Sequence, residues 1–234
     1  MTEKNGLENY LHGLGIEFKD LKLFRQAFTH RSYLNENRRS GLHHNERLEF
    51  LGDAVLELVV TDFLYHKYPQ KTEGEMTAFR SALVNTTTLS TVANDLNIND
   101  HLFLSRGETK DSGRARQCIL ANTFESLLGA IYLDQGYQEA ARFVEKHLLA
   151  RTDEIVKNNT WRDPKSSFQE KAQEVTGITP RYQVLSESGP DHDKSFTVGL
   201  YLGSELVATG DGHSKQEAEQ KAAEAGLEIR KWSD

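Results

Sequence analysis

One cysteine, Cys118, occurs in 234 residues. That scarcity excludes an internal disulfide and leaves too few thiols for a zinc centre. No run approaches the roughly 18 apolar residues that span a bilayer, so no membrane partner is expected. The opening residues, Met1-Thr2-Glu3-Lys4-Asn5-Gly6, lack a basic stretch leading into an apolar one. A secretory leader is therefore not expected, and the composition suits a cytoplasmic protein. Positive charge is also short: 28 Lys and Arg stand against 35 Asp and Glu, a net charge of −7. Taken crudely, that balance argues against nucleic acid and anionic membranes as partners.

What is present is helical pattern through the first two thirds. Asp20 is placed to cap a segment carrying Leu21, Phe24, Ala27 and Phe28 at helical spacing. A long apolar segment runs from Asn45 to Tyr68 and stops at Pro69. Further helices are expected over 77–96, 117–133 and 137–157, with no sustained strand alternation before residue 157. Residues 158–162 are short and polar, and suit a linker. Beyond it, Asp163-Pro164 opens a helix to about Thr176, and Arg181–Ser186 suits a strand. Phe196, Val198, Leu200 and Leu202 alternate at period two, and a third strand is expected at Glu205–Thr209. Ser214 and Glu217 form a capping box for a last helix, with an inner face of Ala218, Ala222, Ala225 and Ile229. The expected fold is an all-α domain, 1–157, followed by a small α+β domain of order α-β-β-β-α, 163–234.

The segment Asn45–Val60 is the most informative. At about 100° per residue, Glu46, Glu49 and Asp53 fall near 0°, 300° and 340°, with Glu57 near 20°. Three carboxylates thus share an arc of about 60° on a helix whose other directions are mostly apolar, so the helix is expected to be largely buried. Clustered carboxylates beside a core repel one another and call for a cation. A second apolar helix, Ile119–Tyr132, carries Asn122 and Glu125 at i and i+3, neighbours on one face. Two helices offering oxygen ligands suit a hard divalent ion, Mg²⁺ or Mn²⁺. A solvated acidic face with basic neighbours is the plain alternative.

Asn45–Leu56 resembles the signature segment of the ribonuclease III family. The resemblance extends through Thr29-His30-Arg31-Ser32-Tyr33, Glu73-Gly74-Glu75-Met76-Thr77 and the Glu125 helix. From Asp163 onward the chain is similar to a double-stranded RNA-binding domain. The resemblance implies a ribonuclease III fold and a homodimeric, Mg²⁺-dependent endonuclease that cuts both strands of duplex RNA. Its products would carry 5′-phosphates and short 3′ overhangs, and its substrates would be ribosomal RNA precursors and other structured transcripts. Carried over by position, Glu49, Asp53 and Glu125 match the catalytic and metal-binding carboxylates. Glu46 and Glu73 match two further acids of the active-site valley and subunit interface. Asn122 stands where the family usually has a metal-binding Asp; its amide oxygen still coordinates but carries no charge. A double-stranded RNA-binding scaffold with weakened catalysis is the alternative that Asn122 raises, and a phosphohydrolase of small molecules is a more distant one. Glu57 has no catalytic match and is taken as structural. No small-molecule cofactor is implied.

In the tail, Gln169 on the first helix, His192 in the first hairpin loop and Ser214-Lys215-Gln216 at the last helix start match the RNA-contacting regions. A helix N-terminus beside Lys215 favours a phosphate, while Gln169 and His192 suit minor-groove contacts. Taken singly, Ser214 is a helix cap and His192 a turn residue. Residues 163–234 carry 8 basic and 13 acidic side chains, so duplex affinity should be modest and salt-sensitive. Arg106, Lys110, Arg114 and Arg116 cluster before the Glu125 helix, where RNA contact and a solvated loop are comparable readings. His43 and His44 are expected as loop residues, and Cys118 as a small apolar residue in a helix.

Overall fold

The computed structural model describes residues 10–11, 13–157, 161, 163–190 and 194–232. They divide into two compact units, Met1–Asn159 and Thr160–Asp234. Of the expected linker, 158–162, only Trp161 lies among the described residues, and His192 lies outside them.

Past residue 20, the first unit is built from helices α1 (Leu21–Ala27), α2 (Arg31–Glu36), α3 (Glu46–Lys67), α4 (Glu73–Val84), α5 (Thr86–Asp95), α6 (Arg114–Gln135), α7 (Tyr137–His147) and α8 (Thr152–Lys157). Local chemistry sets their starts. The Asp20 carboxylate accepts from Lys22 N at 2.8 Å, and Thr72 with Glu75 closes a reciprocal capping box on α4. Two stretches expected as continuous helices are broken. Within 77–96, Asn85 turns extended (ψ 158°) and its Oδ1 accepts from Thr88 N at 2.8 Å. That side-chain bond competes with the helix ladder and starts α5 afresh. Within 137–157, a 3₁₀ turn at Leu149–Arg151 separates α7 from α8. The sole β-pairing described in this unit is one parallel bridge, Thr29 to Phe103.

Helix α3 is buried on one side only. Leu48, Gly52, Val55, Leu56, Val59, Val60 and Leu64 face the interior. Phe50 is 81% exposed, Tyr65 65% and Leu58 57%, so the expectation of a largely buried helix is corrected. The inward arc packs on α6, and the opposite arc keeps large apolar side chains in solvent.

The second unit places α9 (Pro164–Thr176) and α10 (Lys215–Arg230) with an antiparallel sheet of order β1 (Arg181–Ser188), β2 (Ser195–Leu202), β3 (Glu205–Gly212). Phe168, Ala172, Leu200, Leu202, Val207, Ala222 and Ala223 form its core. Helix α10 lies directly on the sheet: a Cβ on Gly210 would stand 2.3 Å from Ala222 N. Ala218 and Ala222 are buried as expected, but Ile229 is 62% exposed. Leu227 and Trp232 close that end of the core instead, with Trp232 packed 5.2 Å from the Phe168 ring.

Candidate active site and RNA-binding face

Two glycines decide where the acids meet. A Cβ on Gly52 of α3 would lie 1.7 Å from Glu125 O, and one on Gly129 of α6 would lie 2.2 Å from Leu48 O. The helices therefore cross backbone to backbone, as only residues without a side chain allow. Glu49 and Asp53 on α3 thereby face Asn122 and Glu125 on α6. A shared anchor fixes both helices: Ala27 O accepts from Ser126 Oγ at 2.7 Å and from Asn45 Nδ2 at 3.2 Å. Asn45 N also donates to Thr29 O at 2.9 Å. The end of α1 thus holds the start of α3 and the middle of α6, one residue from Glu125, in register.

The electrostatics show the crowding. Burial, then the charges of Asp53 and Glu49, push the Glu125 carboxyl up to about 8. Glu49 is also raised, first by burial and then by Glu46 and Asp53, while a hydrogen bond from the Asn122 side chain works against the rise. Among the described residues, no three His, Cys, Asp or Glu side chains converge closely enough to ligate one ion. Like-charge repulsion and the Asn122 hydrogen bond to Glu49 keep the acids facing but apart.

Other expected residues take different places. Glu46 lies at the cluster's outer side, paired with Arg31 at 3.3 Å and beside His44 at 3.6 Å. His44 is a loop residue, as expected, and lies beside this acid. Glu57 pairs with Arg80 at 2.9 Å, in keeping with a structural role. Glu73 is not brought to the cluster: it accepts from Thr77 Oγ1 at 3.1 Å on a recess of about 170 Å³ shared with Leu64, Tyr65 and Met76. In the basic loop, Arg116 donates to the carbonyls of Glu108, Thr109 and Asp111 and builds the turn itself. Cys118 is exposed rather than packed.

In the second unit, the register pairs Phe196 with Gly212. This puts the β1–β2 turn and the start of α10 at the same end of the sheet. Ser214 Oγ accepts from Glu217 N at 3.1 Å, and the Glu217 carboxylate reaches His213 N at 2.9 Å rather than closing the box on Ser214. Lys215 lies exposed, 5.7 Å over the Phe196 ring. Gln169 and Gln216 are also exposed. Most other cations here are engaged: Lys165 with Glu219, Lys171 with Glu174, Lys194 with Glu187, Lys221 with Glu217 and Arg230 with Glu205.

The Ribonuclease-III-like family model matches residues 20–152, and the double-stranded RNA binding motif matches 164–229. Ribonuclease 3 of Pelotomaculum thermopropionicum is 45% identical over 92% of this chain and 89% of its own length. The chain belongs to the ribonuclease III family. It is a double-strand-specific endoribonuclease with a helical nuclease domain and a double-stranded RNA-binding domain. Ribonuclease 3 of Borreliella burgdorferi is 42% identical over 96% of this chain and 91% of that protein. The nuclease domain of ribonuclease III from Campylobacter jejuni, described with flexibility in its dimer-forming region, aligns at TM-score 0.54 and 39% identity. That alignment covers 60% of this chain and 97% of the Campylobacter chain. No helix among the described residues is long and apolar enough to cross a membrane.

Within this ribonuclease III chain, sequence reasoning passed over Asn45 and Ser126 as positioning residues. Their signal is slight, a polar side chain at a buried position of an apolar helix, and their shared acceptor lies 99 residues from Ser126. Gly52 and Gly129 carried a clearer one: an uncapped glycine inside each apolar helix.

Proposed function

We propose that the acids at the α3–α6 crossing form the hydrolytic centre of this ribonuclease III, with Mg²⁺ as the resident ion and Mn²⁺ able to replace it. The carrying observation is the glycine-to-backbone crossing that sets Glu49 and Asp53 against Asn122 and Glu125. Three carboxylates and an amide carbonyl make an all-oxygen set suited to a hard cation. The raised Glu125 and Glu49 carboxyls support the fit, because a divalent charge relieves the repulsion that raises them.

A cation held there would supply an activated water and positive charge against the charge developing at phosphorus and on the leaving 3′-oxygen. Asp53 and Glu125 would orient the water and help take up its proton. Glu49 would ligate the ion from α3, and the Asn122 amide oxygen from α6. Arg31 keeps Glu46 at the outer edge, where Glu46 adds negative field to the site. The products are 5′-phosphate ends with short 3′ overhangs, from ribosomal precursors and other structured messenger and transfer RNAs in the cytoplasm.

Two copies pair through the exposed arc of α3, where Phe50, Leu58 and Tyr65 would otherwise stay in water. Glu73, on the recess beside Tyr65, belongs to that interface. In the RNA-binding domain, Gln169 and His192 read successive minor grooves, and Ser214, Lys215 and Gln216 meet the phosphates between them.

A long RNA duplex incubated with the protein in Mg²⁺ and in Mn²⁺, beside Glu125→Gln, tests this. Cleavage by the wild type and its loss in the variant are expected. Duplex binding without cutting in either metal would favour the scaffold alternative, and cutting that survives Glu125→Gln would remove Glu125 from the chemistry. Sedimentation as a monomer at assay concentration would refute the pairing.

A further inference from the structure

Several cations of the nuclease domain are engaged by neighbouring acids. Lys67 pairs with Asp153, Lys71 with Glu75, Arg80 with Glu57, Arg142 with Glu139 and Arg151 with Asp95. Arg38 and Arg39 enter none of the described ion pairs and are exposed. Both line a recess of about 670 Å³ between α1, α2 and the loop leading to α3. Arg25, the amides of Asn35 and Asn37 and the Ser40 hydroxyl complete its donor surface. Its one carboxylate, Glu36, is already an acceptor, taking Arg106 N at 3.3 Å.

The recess is shaped by its own backbone. Asn37 N and Asn37 Nδ2 both donate to Tyr33 O at 3.0 Å, ending α2, and Ser40 N donates to Asn37 O at 3.0 Å. Gly41 then turns at φ +66° and returns the chain to Asn45. This fold gathers three guanidinium groups around one carboxylate, a local excess of positive charge. Guanidinium forks with amide and hydroxyl donors match the oxygens of a phosphodiester.

Placement gives the recess its purpose. Arg31 opens α2 and pairs with Glu46, while the far end of α2 forms the recess. Six residues of helix span about 9 Å, so the recess stands about one short helix from the acidic cluster. A polyanion approaching Glu46, Glu49, Asp53 and Glu125 meets repulsion there, and the positive excess of the recess alongside offsets it.

We propose that the recess lined by Arg25, Arg38 and Arg39 is a phosphate-binding subsite of the nuclease domain that grips the backbone of the RNA duplex beside the bond being cut. The proposal rests on the family's double-stranded RNA activity and adds to the RNA-binding domain a second, independent grip. Arg25, stacked 5.3 Å over the Phe103 ring, is the fixed member, and Arg38 and Arg39 are the adjustable ones.

The test uses the full chain with a duplex too short to engage several molecules. Binding is titrated without divalent ions over a range of salt, and cleavage is measured separately with Mg²⁺. For Arg38→Gln/Arg39→Gln, the salt slope of log affinity should fall in magnitude by about two, with affinity at 0.1 M salt reduced on the order of tenfold or more. KM should rise while kcat at saturating RNA stays within about twofold. Arg38→Lys/Arg39→Lys should retain the slope. Arg142→Gln/Lys146→Gln, exposed on α7 and outside the recess, removes the same charge and should leave the slope unchanged.

Equal loss in the α7 pair would overturn the proposal in favour of overall charge. An unchanged slope and KM in the Arg38/Arg39 pair, with the wild type still cutting duplex, would overturn the recess alone. A wild type that neither binds nor cuts duplex would overturn the family activity beneath it. Should the Gln pair lower the melting temperature, Arg39→Gln alone should still reduce the slope by about one.

Discussion

Glu125 makes the stability of the metal-free protein depend on pH. Its carboxyl moves from 4.5 to about 8 in the folded state, because burial and the charges of Asp53 and Glu49 oppose ionisation. The folded protein therefore holds this proton more tightly than the unfolded chain. The stability so conferred is full below about pH 4.5 and is lost as pH rises through about 8. Full conversion at about 1.4 kcal/mol per tenfold gives roughly 5 kcal/mol. Glu125 is only partly buried, and solvent screening brings the expected loss down to about 2 kcal/mol. Urea unfolding from pH 5 to pH 9 in the presence of chelator measures it, with Glu125→Gln in parallel. The wild type should lose about 2 kcal/mol relative to the variant across that range. His30, His101 and His147, lowered mainly by burial, contribute the opposite slope in both proteins and cancel in the difference. Millimolar Mg²⁺ should flatten the difference by neutralising the acids. Parallel profiles for the two proteins would refute the account of the cluster as self-repelling.

Three further outcomes are expected. Gly129→Ala forces a Cβ to within 2.2 Å of Leu48 O, and should cost about 3 kcal/mol or more; an unchanged melting temperature would mean the crossing can relax. Asn122→Asp adds a ligating charge and removes the amide donor to Glu49, so calorimetric titration should show Mg²⁺ binding several-fold tighter. Equal or weaker binding would show that the amide serves the site as well as a carboxylate. Lys215→Ala should lower the salt slope of duplex binding by about one while leaving thermal stability intact; if the slope holds, Lys215 makes no phosphate contact.

Much of this architecture was legible in the order of residues. Asp20, the Asp163-Pro164 pair and Ser214 marked helix starts because capping is a local bond between residues two or three apart. The alternation from Phe196 to Leu202 marked β2 because a sheet with one buried face imposes period two. The acids at Glu46, Glu49 and Asp53 were placed on one arc by helical geometry alone. Less legible were the breaks at Asn85 and Leu149–Arg151, where a side-chain bond or a tight turn interrupts an unbroken helical pattern.

Sequence by itself determined the family, the two-domain order and the arc of acids proposed for the chemistry, since each depends on residue identity and short spacing. Tertiary structure alone decided how those side chains meet. Glu49 and Glu125 are 76 positions apart, and only the contact of Gly52 and Gly129 with the facing backbone makes them neighbours. Periodicity counted Phe50 and Leu58 as interior, yet an apolar side chain is buried only where another element covers it. Within this chain α6 covers one side of α3 and leaves the other to solvent. Net charge behaved likewise: −7 measures the whole chain, whereas attraction for RNA depends on which cations the fold leaves uncommitted at a surface.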